Sequence, residues 1–361
     1  MKTKEYLKFS KKDKESHGIT IPVSSKKQFW TRFFTNKLNL IAVIILFVVL
    51  LVLIISSIFS YSYNEPINNS LALNKELPSS LHPWKTMDLS KNPESNLFVT
   101  LAKDYPDLVK VDVDTNFDIY HVSYNAYGLM NKINNTHFAY NHILGTNSNG
   151  IDIYSRIVNS NMQLFLVAIL SLSMSMFIST AIGILLALYV KKSINDFIYN
   201  LIQAVGMIPY LFITVILFIF VGTSFGKSLL IFSLASGIFL FISSFQRSTK
   251  ILQEEYIMAE IANGFSKWDL FWRTMFLKVL NYQLIQIVDQ FILIYLSYAA
   301  LGLLSIDLES NFNIGVIIKE STELFFINPA YLIVNTSIIF TLILTLKIIV
   351  FGLSKSYEME V

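Results

Sequence analysis

The side chains that could perform chemistry in this sequence are few. The 361 residues include no cysteine, which excludes disulfides, thiolate chemistry and cysteine-held metal ions. His137 and His142 are five residues apart, but no carboxylate cluster accompanies them. We expect both histidines to be solvated or hydrogen-bonded, and we predict neither a metal site nor a catalytic residue. The sequence also has no Gly-rich phosphate loop of the Walker type, so any use of ATP would belong to a partner.

Two residues inside predicted membrane spans, Asp289 and Pro209, are candidates for a pathway through the membrane. An acidic residue in a span marks such a pathway by default, but Gln286 and Gln290 flank Asp289 and the end of the span is near. The carboxylate could therefore also be hydrated or hydrogen-bonded at the rim. Pro209 and Gly206 interrupt another apolar segment, and broken helices line cavities in transporters. Proline is also common in spanning helices, so both alternatives stay open.

The composition indicates that these residues belong to membrane-spanning helices. The chain is 53% hydrophobic and 15% charged, with a mean hydropathy of +0.53, whereas soluble domains carry about 25% charged residues. Apolar segments of about 20 residues predict spanning helices, and therefore an all-α polytopic membrane protein with six transmembrane helices. The predicted spans are Leu40–Phe59, Leu164–Val190, Phe197–Val221, Ser228–Phe245, Tyr282–Leu304 and Pro329–Phe351.

The distribution of charge predicts how the chain is oriented. Residues 1–38 carry ten Lys and Arg against three acidic residues, and basic residues collect on the same side of every later span. By the positive-inside bias, both termini are expected in the cytoplasm. The predicted outer loop at 305–328 has four acidic residues and one lysine. The expected regions are a basic N-terminus at 1–38, helix 1 at 39–60, an extracellular insert at 61–162, a five-helix core at 163–353 with a cytoplasmic loop at 246–280, and a tail at 354–361.

The stretch Glu255–Leu280 is charged and helix-forming, and it lies between apolar segments. Gly264 suits the left-handed residue that ends a helix. Ser266 and Asp269 have the spacing of a capping box at a new helix start. We predict a helix, a sharp turn and a second helix that together present a surface to another protein. An ordinary amphipathic cytoplasmic loop is the alternative.

This stretch resembles the EAA loop of ATP-binding-cassette (ABC) importer permeases. Ala259 keeps the middle alanine of the motif, Gly264 keeps the turn glycine, and Glu255 and Tyr256 keep the lead-in of the peptide-transporter branch. The resemblance implies that the loop docks on a cytoplasmic ATPase and transmits its motion. The candidate coupling residues are thus Glu255, Tyr256, Ala259, Gly264, Ser266 and Asp269. The departures from the family pattern are Met258, Glu260 and Leu277.

A second stretch, residues 141–156 with the sequence NHILGTNSNGIDIYSR, precedes the second predicted span. Its glycines, Gly145 and Gly150, permit tight turns. Asp152 and Arg156 are four residues apart and could pair on one helix face. The stretch resembles the H-x-L-G-T-D-x-x-G-R-D-V-x-S-R signature of C-type permease subunits of oligopeptide and dipeptide importers. The matching residues are His142, Leu144, Gly145, Thr146, Gly150, Asp152, Ser155 and Arg156, and the departures are Asn147 and Ile151.

Both resemblances imply the same assembly. A C-type permease pairs with a homologous second permease, two cytoplasmic ATPases supply ATP and Mg²⁺ chemistry, and an extracellular binding protein delivers a peptide. The chain itself is expected to be neither an enzyme nor a nucleic-acid binder, and to lie in a bacterial plasma membrane. Three alternatives remain: a nickel or other small-solute importer permease, a secondary transporter, and a membrane-anchored protein that displays the insert. The role of the signature is also open between seating the next helix and contacting substrate.

Overall fold

The computed structural model describes residues 25–66, 75–114, 118–133, 141–304 and 312–358. His137 and most of the basic N-terminus lie outside these ranges, as does the first part of the predicted outer loop at 305–328. The described chain is mostly helical, which confirms the predicted all-α polytopic class. Its β-strands belong to one small unit inside the predicted insert. The helices of the membrane region are α1 (Ser25–Thr35), α2 (Lys37–Phe59), α5 (Ile153–Tyr189), α6 (Lys192–Gly206), α7 (Tyr210–Val221), α8 (Phe225–Ile251), α9 (Glu255–Ala262), α10 (Lys267–Leu303), α11 (Ile314–Glu323) and α12 (Pro329–Glu358).

Five of the described helices, namely α2, α5, α8, α10 and α12, are long and apolar enough to cross a membrane. Helices α6 and α7 are each too short to cross a membrane and form a sixth span only if they are taken together. The angle between them is 85°. The sequence predicted one interrupted span here. The structure has the interruption at Met207–Pro209, where proline can neither donate a backbone hydrogen bond nor continue the preceding helix, and the bend there is larger than a kink.

The spanning helices are longer than the predicted spans. Helix α5 begins at Ile153, eleven residues before the predicted start of its span, and α8 and α12 continue beyond theirs. Helix α10 is 37 residues long and contains a π-helical segment at Leu270–Met275. Hydropathy marks only the part of a helix that lies in lipid, whereas the helices continue into the regions on either side.

Small and hydroxyl side chains bring the central helices close together. On α5, a Cβ added at Gly183 would lie 2.5 Å from the Ser244 hydroxyl of α8. The Ser179 hydroxyl donates to the Gly237 carbonyl at 3.0 Å. Such contacts are the usual basis of helix association in membranes, where lipid is as apolar as the helices themselves.

Helices α10 and α11 meet backbone against backbone. A Cβ at Gly302 would lie 2.1 Å from the carbonyl oxygen of Gly315, and one at Gly315 would lie 2.1 Å from the carbonyl of Tyr298. Neither glycine could be replaced without separating the two helices. Asn313 caps α11 by accepting from the backbone N–H groups of Gly315 and Val316.

The predicted insert contains a compact α/β unit, whose fold the sequence left open. Strands β1 (Trp84–Ser90) and β2 (Val109–Asp114) both pair antiparallel with β3 (Ile119–Asn125), in the order β1-β3-β2. Helices α3 (Pro93–Asp104) and α4 (Ala126–Ile133) complete the unit. Its core is formed by Leu77, Phe98, Val109, Val122, Tyr124, Ala126, Leu129 and Met130.

Candidate functional site

Residues 141–152 form a tight loop that leads into α5. Gly145 and Gly150 have φ angles of +79° and +76°, which glycine adopts at no cost. Gly145 also lies against the chain, since a Cβ there would be 2.1 Å from the Leu77 carbonyl. Thr146 forms an antiparallel bridge with Asp152 and bonds to Leu77 through both its backbone and its hydroxyl. The two glycines therefore serve the turns that the sequence predicted.

Asp152 is the N-cap of α5 and also pairs with His142. One carboxylate oxygen accepts from the backbone N–H and the hydroxyl of Ser155, at 2.7 and 2.5 Å. The other lies 2.8 Å from Nδ1 of His142, and both side chains are only 2% exposed. His142 is thus hydrogen-bonded, as expected. The hypothesis that Asp152 pairs with Arg156 is wrong, because the carboxylate is already occupied by its cap and by the histidine.

Arg156 instead pairs with Glu320 of α11. Their closest atoms, Nη2 and Oε2, are 2.6 Å apart, and the side chains are 9% and 14% exposed. Arg156 also donates to the Tyr63 carbonyl and lies over the ring of Phe312. Glu320 accepts a second bond, at 2.6 Å, from the side-chain amide of Asn147. Sequence analysis missed Glu320, although the acid-rich outer loop was the signal that could have indicated it.

Further polar contacts join this network to the rest of the bundle. Asn328, just before α12, donates to the Leu144 carbonyl at 2.7 Å. Within the bundle, Asn161 of α5 donates to Asn335 of α12 at 2.8 Å. The Tyr127 hydroxyl of α4 donates to the Pro78 carbonyl at 2.7 Å, and burial raises the pKa of this phenol. The signature stretch therefore connects the small α/β unit, α5, α11 and α12.

The predicted helix–turn–helix is present between α8 and α10. Helix α9 ends at Ala262, Gly264 has a φ of +84°, and Ser266 and Asp269 form the predicted capping box. The backbone N–H of Asp269 donates to the Ser266 hydroxyl at 3.1 Å, and that of Ser266 donates to the Asp269 carboxylate at 3.3 Å. The local geometry thus agrees with the sequence, while the coupling role remains a prediction.

One face of this loop is anchored in the bundle. Ile257 is fully buried in a cluster that joins α9 to the inner part of α5 and the first turns of α10. The ring of Tyr256 packs against the same cluster and lies 4.0 Å from the Lys278 ammonium, and burial raises the pKa of its hydroxyl. Glu260 accepts from the Thr274 hydroxyl at 2.8 Å. This departure from the family alanine therefore links α9 to α10 across the turn.

The opposite face of the loop is exposed and partly apolar. Ala259 and Glu255 are exposed, and Met258 and Ile261 are 57% and 52% exposed. Trp268 and Trp272 are about half exposed on the first turns of α10. Glu255, Met258 and Ala259 belong to the predicted coupling motif, whereas the sequence analysis did not single out Ile261 or the two tryptophans.

The two candidates for a pathway differ in their surroundings. Pro209 lies at the N-terminus of α7, at the 85° break, next to the buried Tyr210. Asp289 forms an ion pair with Lys347 of α12, with 3.1 Å between their nearest atoms. Both side chains of the pair are about 60% exposed and thus lie on the surface of the helix bundle and not in its interior. The described residues contain no group of three potential metal ligands.

The long apolar helices, the small-residue contacts between them and the broken span define a multi-pass helical membrane protein. Residues 24–78 match a family model described as the N-terminal TM domain of oligopeptide transport permease C. The match covers α1 and α2, and it confirms the predicted resemblance to C-type permeases of peptide ABC importers. The matched family is one of transporter membrane subunits. No curated protein matches the chain.

Proposed function

We propose that this chain is the C-type membrane subunit of an ATP-driven peptide importer in a bacterial plasma membrane. It forms the translocation pathway together with a homologous second permease, and both termini are cytoplasmic. Two ATPase subunits carry the ATP and Mg²⁺, and an extracellular binding protein delivers the peptide. The observation that carries this proposal is the family match at residues 24–78, together with a helix–turn–helix that has one anchored and one exposed face.

The anchored face gives the loop a route by which to move the membrane helices. Ile257 contacts the cluster formed by Ile184 and Leu188 of α5 and by Phe271 and Val279 of α10. A partner that displaces α9 would therefore displace both long helices, because close-packed side chains transmit strain. ATP binding that favours one arrangement of the ATPases would thus favour one arrangement of the bundle.

The charge of the two faces supports the orientation. The loop contributes Lys267, Arg273 and Lys278, and Lys191 and Lys192 follow the inner end of α5. The described part of the opposite end contains the acidic Glu320 and Glu323. By the positive-inside bias, this distribution supports a cytoplasmic loop and an extracellular α/β unit.

The outer network supports a role in seating helices more than in contacting substrate. His142, Asp152 and Arg156 are all buried; His142 pairs with Asp152, and Arg156 pairs with Glu320. The α/β unit, in contrast, lies at the predicted outer mouth with exposed strands. We propose that this unit docks the binding protein or caps the mouth.

Two other functions can be distinguished from this one, the first by uptake assays and the second by the position of an acidic residue. A nickel or small-solute importer would share the loop and the family match, so uptake assays must distinguish the cargo. A secondary transporter would need polar groups at mid-membrane. Asp289 is the acid that the sequence offers for this role, and it pairs with Lys347 on the outer surface of the bundle.

The test of the proposal is a pull-down from detergent-solubilised membranes with this chain as bait. Recovery of a second permease and of ATPase subunits is expected. Ala259→Arg should release the ATPases and retain the permease, because it puts a large charged side chain on the exposed face of α9. Ser193→Arg is the matched control, since Ser193 is an exposed small residue at the predicted cytoplasmic end of α6. Recovery of the chain alone in every sample would refute the importer and favour a secondary transporter.

The role of the α/β unit can be tested by excision. The Ala126 backbone N–H donates to the Pro83 carbonyl at 2.9 Å, so the two ends of the segment 84–125 lie next to each other. Replacing them by a short Gly-Ser linker should abolish uptake that depends on the binding protein, while ATPase recovery in the pull-down stays unchanged. Normal uptake by the shortened chain would contradict the docking role.

A further inference from the structure

A groove on the side of the bundle lies between α1, the start of α2 and the second half of α12. Its volume is about 890 Å³. Its lining combines exposed apolar side chains, among them Leu38, Leu344 and Phe351, with the basic residues Arg32, Lys347 and Lys355. A groove that is apolar along its length and basic at one end has the two chemistries of a phospholipid with an anionic headgroup.

The groove is held in shape by a fixed contact between its walls. Asn39 is buried, donates to the Phe33 carbonyl across the α1–α2 break at 3.2 Å, and lies against Gly352 of α12. A Cβ at Gly352 would be 2.3 Å from the Asn39 amide nitrogen. Helix α1 is therefore tied to α2 and α12 at one place, and the groove opens beside it.

Helix α1 has the composition of a segment at a membrane surface. Trp30 and Phe34 are stacked at 5.7 Å and exposed, while Phe33 is buried against the bundle. Aromatic residues with basic neighbours are enriched where the hydrocarbon meets the headgroups. The groove thus lies at the depth of a headgroup in the leaflet that surrounds the N-terminal end of α2.

The positions of the basic residues fit one lipid. Lys355 is eight residues after Lys347 on α12, which corresponds to about 12 Å along the helix. Arg32 and Lys355 are therefore at the headgroup end, and Lys347 is deeper, where its ammonium already pairs with Asp289. The described residues that line the groove include three basic side chains, Arg32, Lys347 and Lys355, and no acidic one.

We propose that this groove binds one anionic phospholipid, with its phosphate between Arg32 and Lys355 and an acyl chain along Leu344 and Phe351. Basic pockets between membrane helices recognise such headgroups. Residues 1–24 are a poorer occupant on charge grounds, since they carry six lysines against three acidic residues. The proposal depends on the groove alone and not on the proposed transport function.

The test uses the purified, delipidated full chain in detergent and native mass spectrometry. Phosphatidylglycerol should be retained at concentrations where phosphatidylcholine with the same acyl chains is lost. The variants Arg32→Gln and Lys355→Gln should each weaken phosphatidylglycerol binding roughly fivefold, and the double variant roughly 30-fold. Arg32→Lys/Lys355→Arg should keep the binding, because it conserves both charges. The matched control is Lys191→Gln/Lys250→Gln, which removes two exposed charges away from the groove.

Several outcomes would overturn the proposal. Equal binding of the two lipids by the unmodified chain would show that no anionic headgroup is recognised. An equal loss in the control variant would show attraction to the whole basic face. Displacement of the lipid on co-expression with the second permease would assign the groove to the subunit interface. Because no measurement here involves ATP or peptide, failure of this proposal would leave the importer proposal unaffected.

Discussion

At the scale of single residues, the ion pair between Arg156 and Glu320 joins the first turn of α5 to α11. Both charges are largely buried, and each has further hydrogen bonds: Arg156 to Tyr63, and Glu320 to Asn147. A buried ion pair contributes little net stability compared with apolar residues, but the loss of one partner leaves a buried charge without compensation. The pair therefore fixes how α5 and α11 meet.

We predict that Arg156→Met and Glu320→Leu each destabilise the protein by about 3 kcal/mol, because each leaves one charge unpaired. The double variant Arg156→Met/Glu320→Leu should recover a large part of this loss. The measurement is the free energy of unfolding in mixed micelles for all four proteins, combined as a double-mutant cycle. Lys319→Met is the control for loss of a charge on the same helix. Additive effects in the cycle would contradict the pairing.

At the scale of elements, the turn at Gly264 decides whether α9 can face outward while Ile257 stays in the bundle. The φ of +84° suits glycine, and a Cβ there would meet no atom within 4 Å. A substitution would therefore be opposed by backbone strain alone and not by a clash. Variants at Gly264 therefore test the backbone conformation of the turn without changing its packing.

The order of transport activity for variants at this position follows from that strain. Gly264→Asn should retain most uptake, since asparagine tolerates the left-handed region, and Gly264→Ala should lose part at a cost of about 1 kcal/mol. Gly264→Val and Gly264→Pro should abolish uptake while membrane insertion remains normal. Gly226→Val is the matched control, because a Cβ there also meets nothing within 4 Å and the φ is not in the left-handed region. Full uptake by Gly264→Val would refute the role of the turn.

At the scale of the whole molecule, the orientation can be measured directly because the sequence has no cysteine. Lys91 lies between β1 and α3, Asn263 lies in the turn after α9, and both are exposed. In spheroplasts, a membrane-impermeant maleimide should label Lys91→Cys. It should label Asn263→Cys only after permeabilisation. Labelling of Asn263→Cys in intact spheroplasts would reverse the proposed orientation and remove the loop from the reach of any ATPase.

The features that the sequence predicted are those determined by residues close in the chain. The turn at Gly264 and the box formed by Ser266 and Asp269 involve neighbours within five residues, and both were predicted correctly. The pairing of Arg156 was not, because its partner is 164 residues away and the nearer Asp152 was already occupied. Local spacing alone contains no information about that competition.

The same distinction applies to larger elements. Hydropathy located the spanning helices, but not the 85° angle after Gly206, which depends on how α7 packs against its neighbours. The three-stranded sheet was not predicted either, since β1 pairs with β3 across an intervening helix and strand. For the same reason, the groove beside α12 could not be inferred before α1 and α2 were placed against it.

The contact between Gly302 and Gly315 has a mechanical consequence. Helix α10 begins beside the turn at Gly264 and continues for 37 residues, about 55 Å, before that contact fixes it to α11. Helix α10 thus runs from the turn at Gly264 to the contact with α11, and α11 moves together with that end of the helix. A tilt of about five degrees at the inner end would move the outer end by roughly 5 Å over this length. The helix would thus convert a small rotation on one side of the membrane into a displacement on the other, without any change in its own shape.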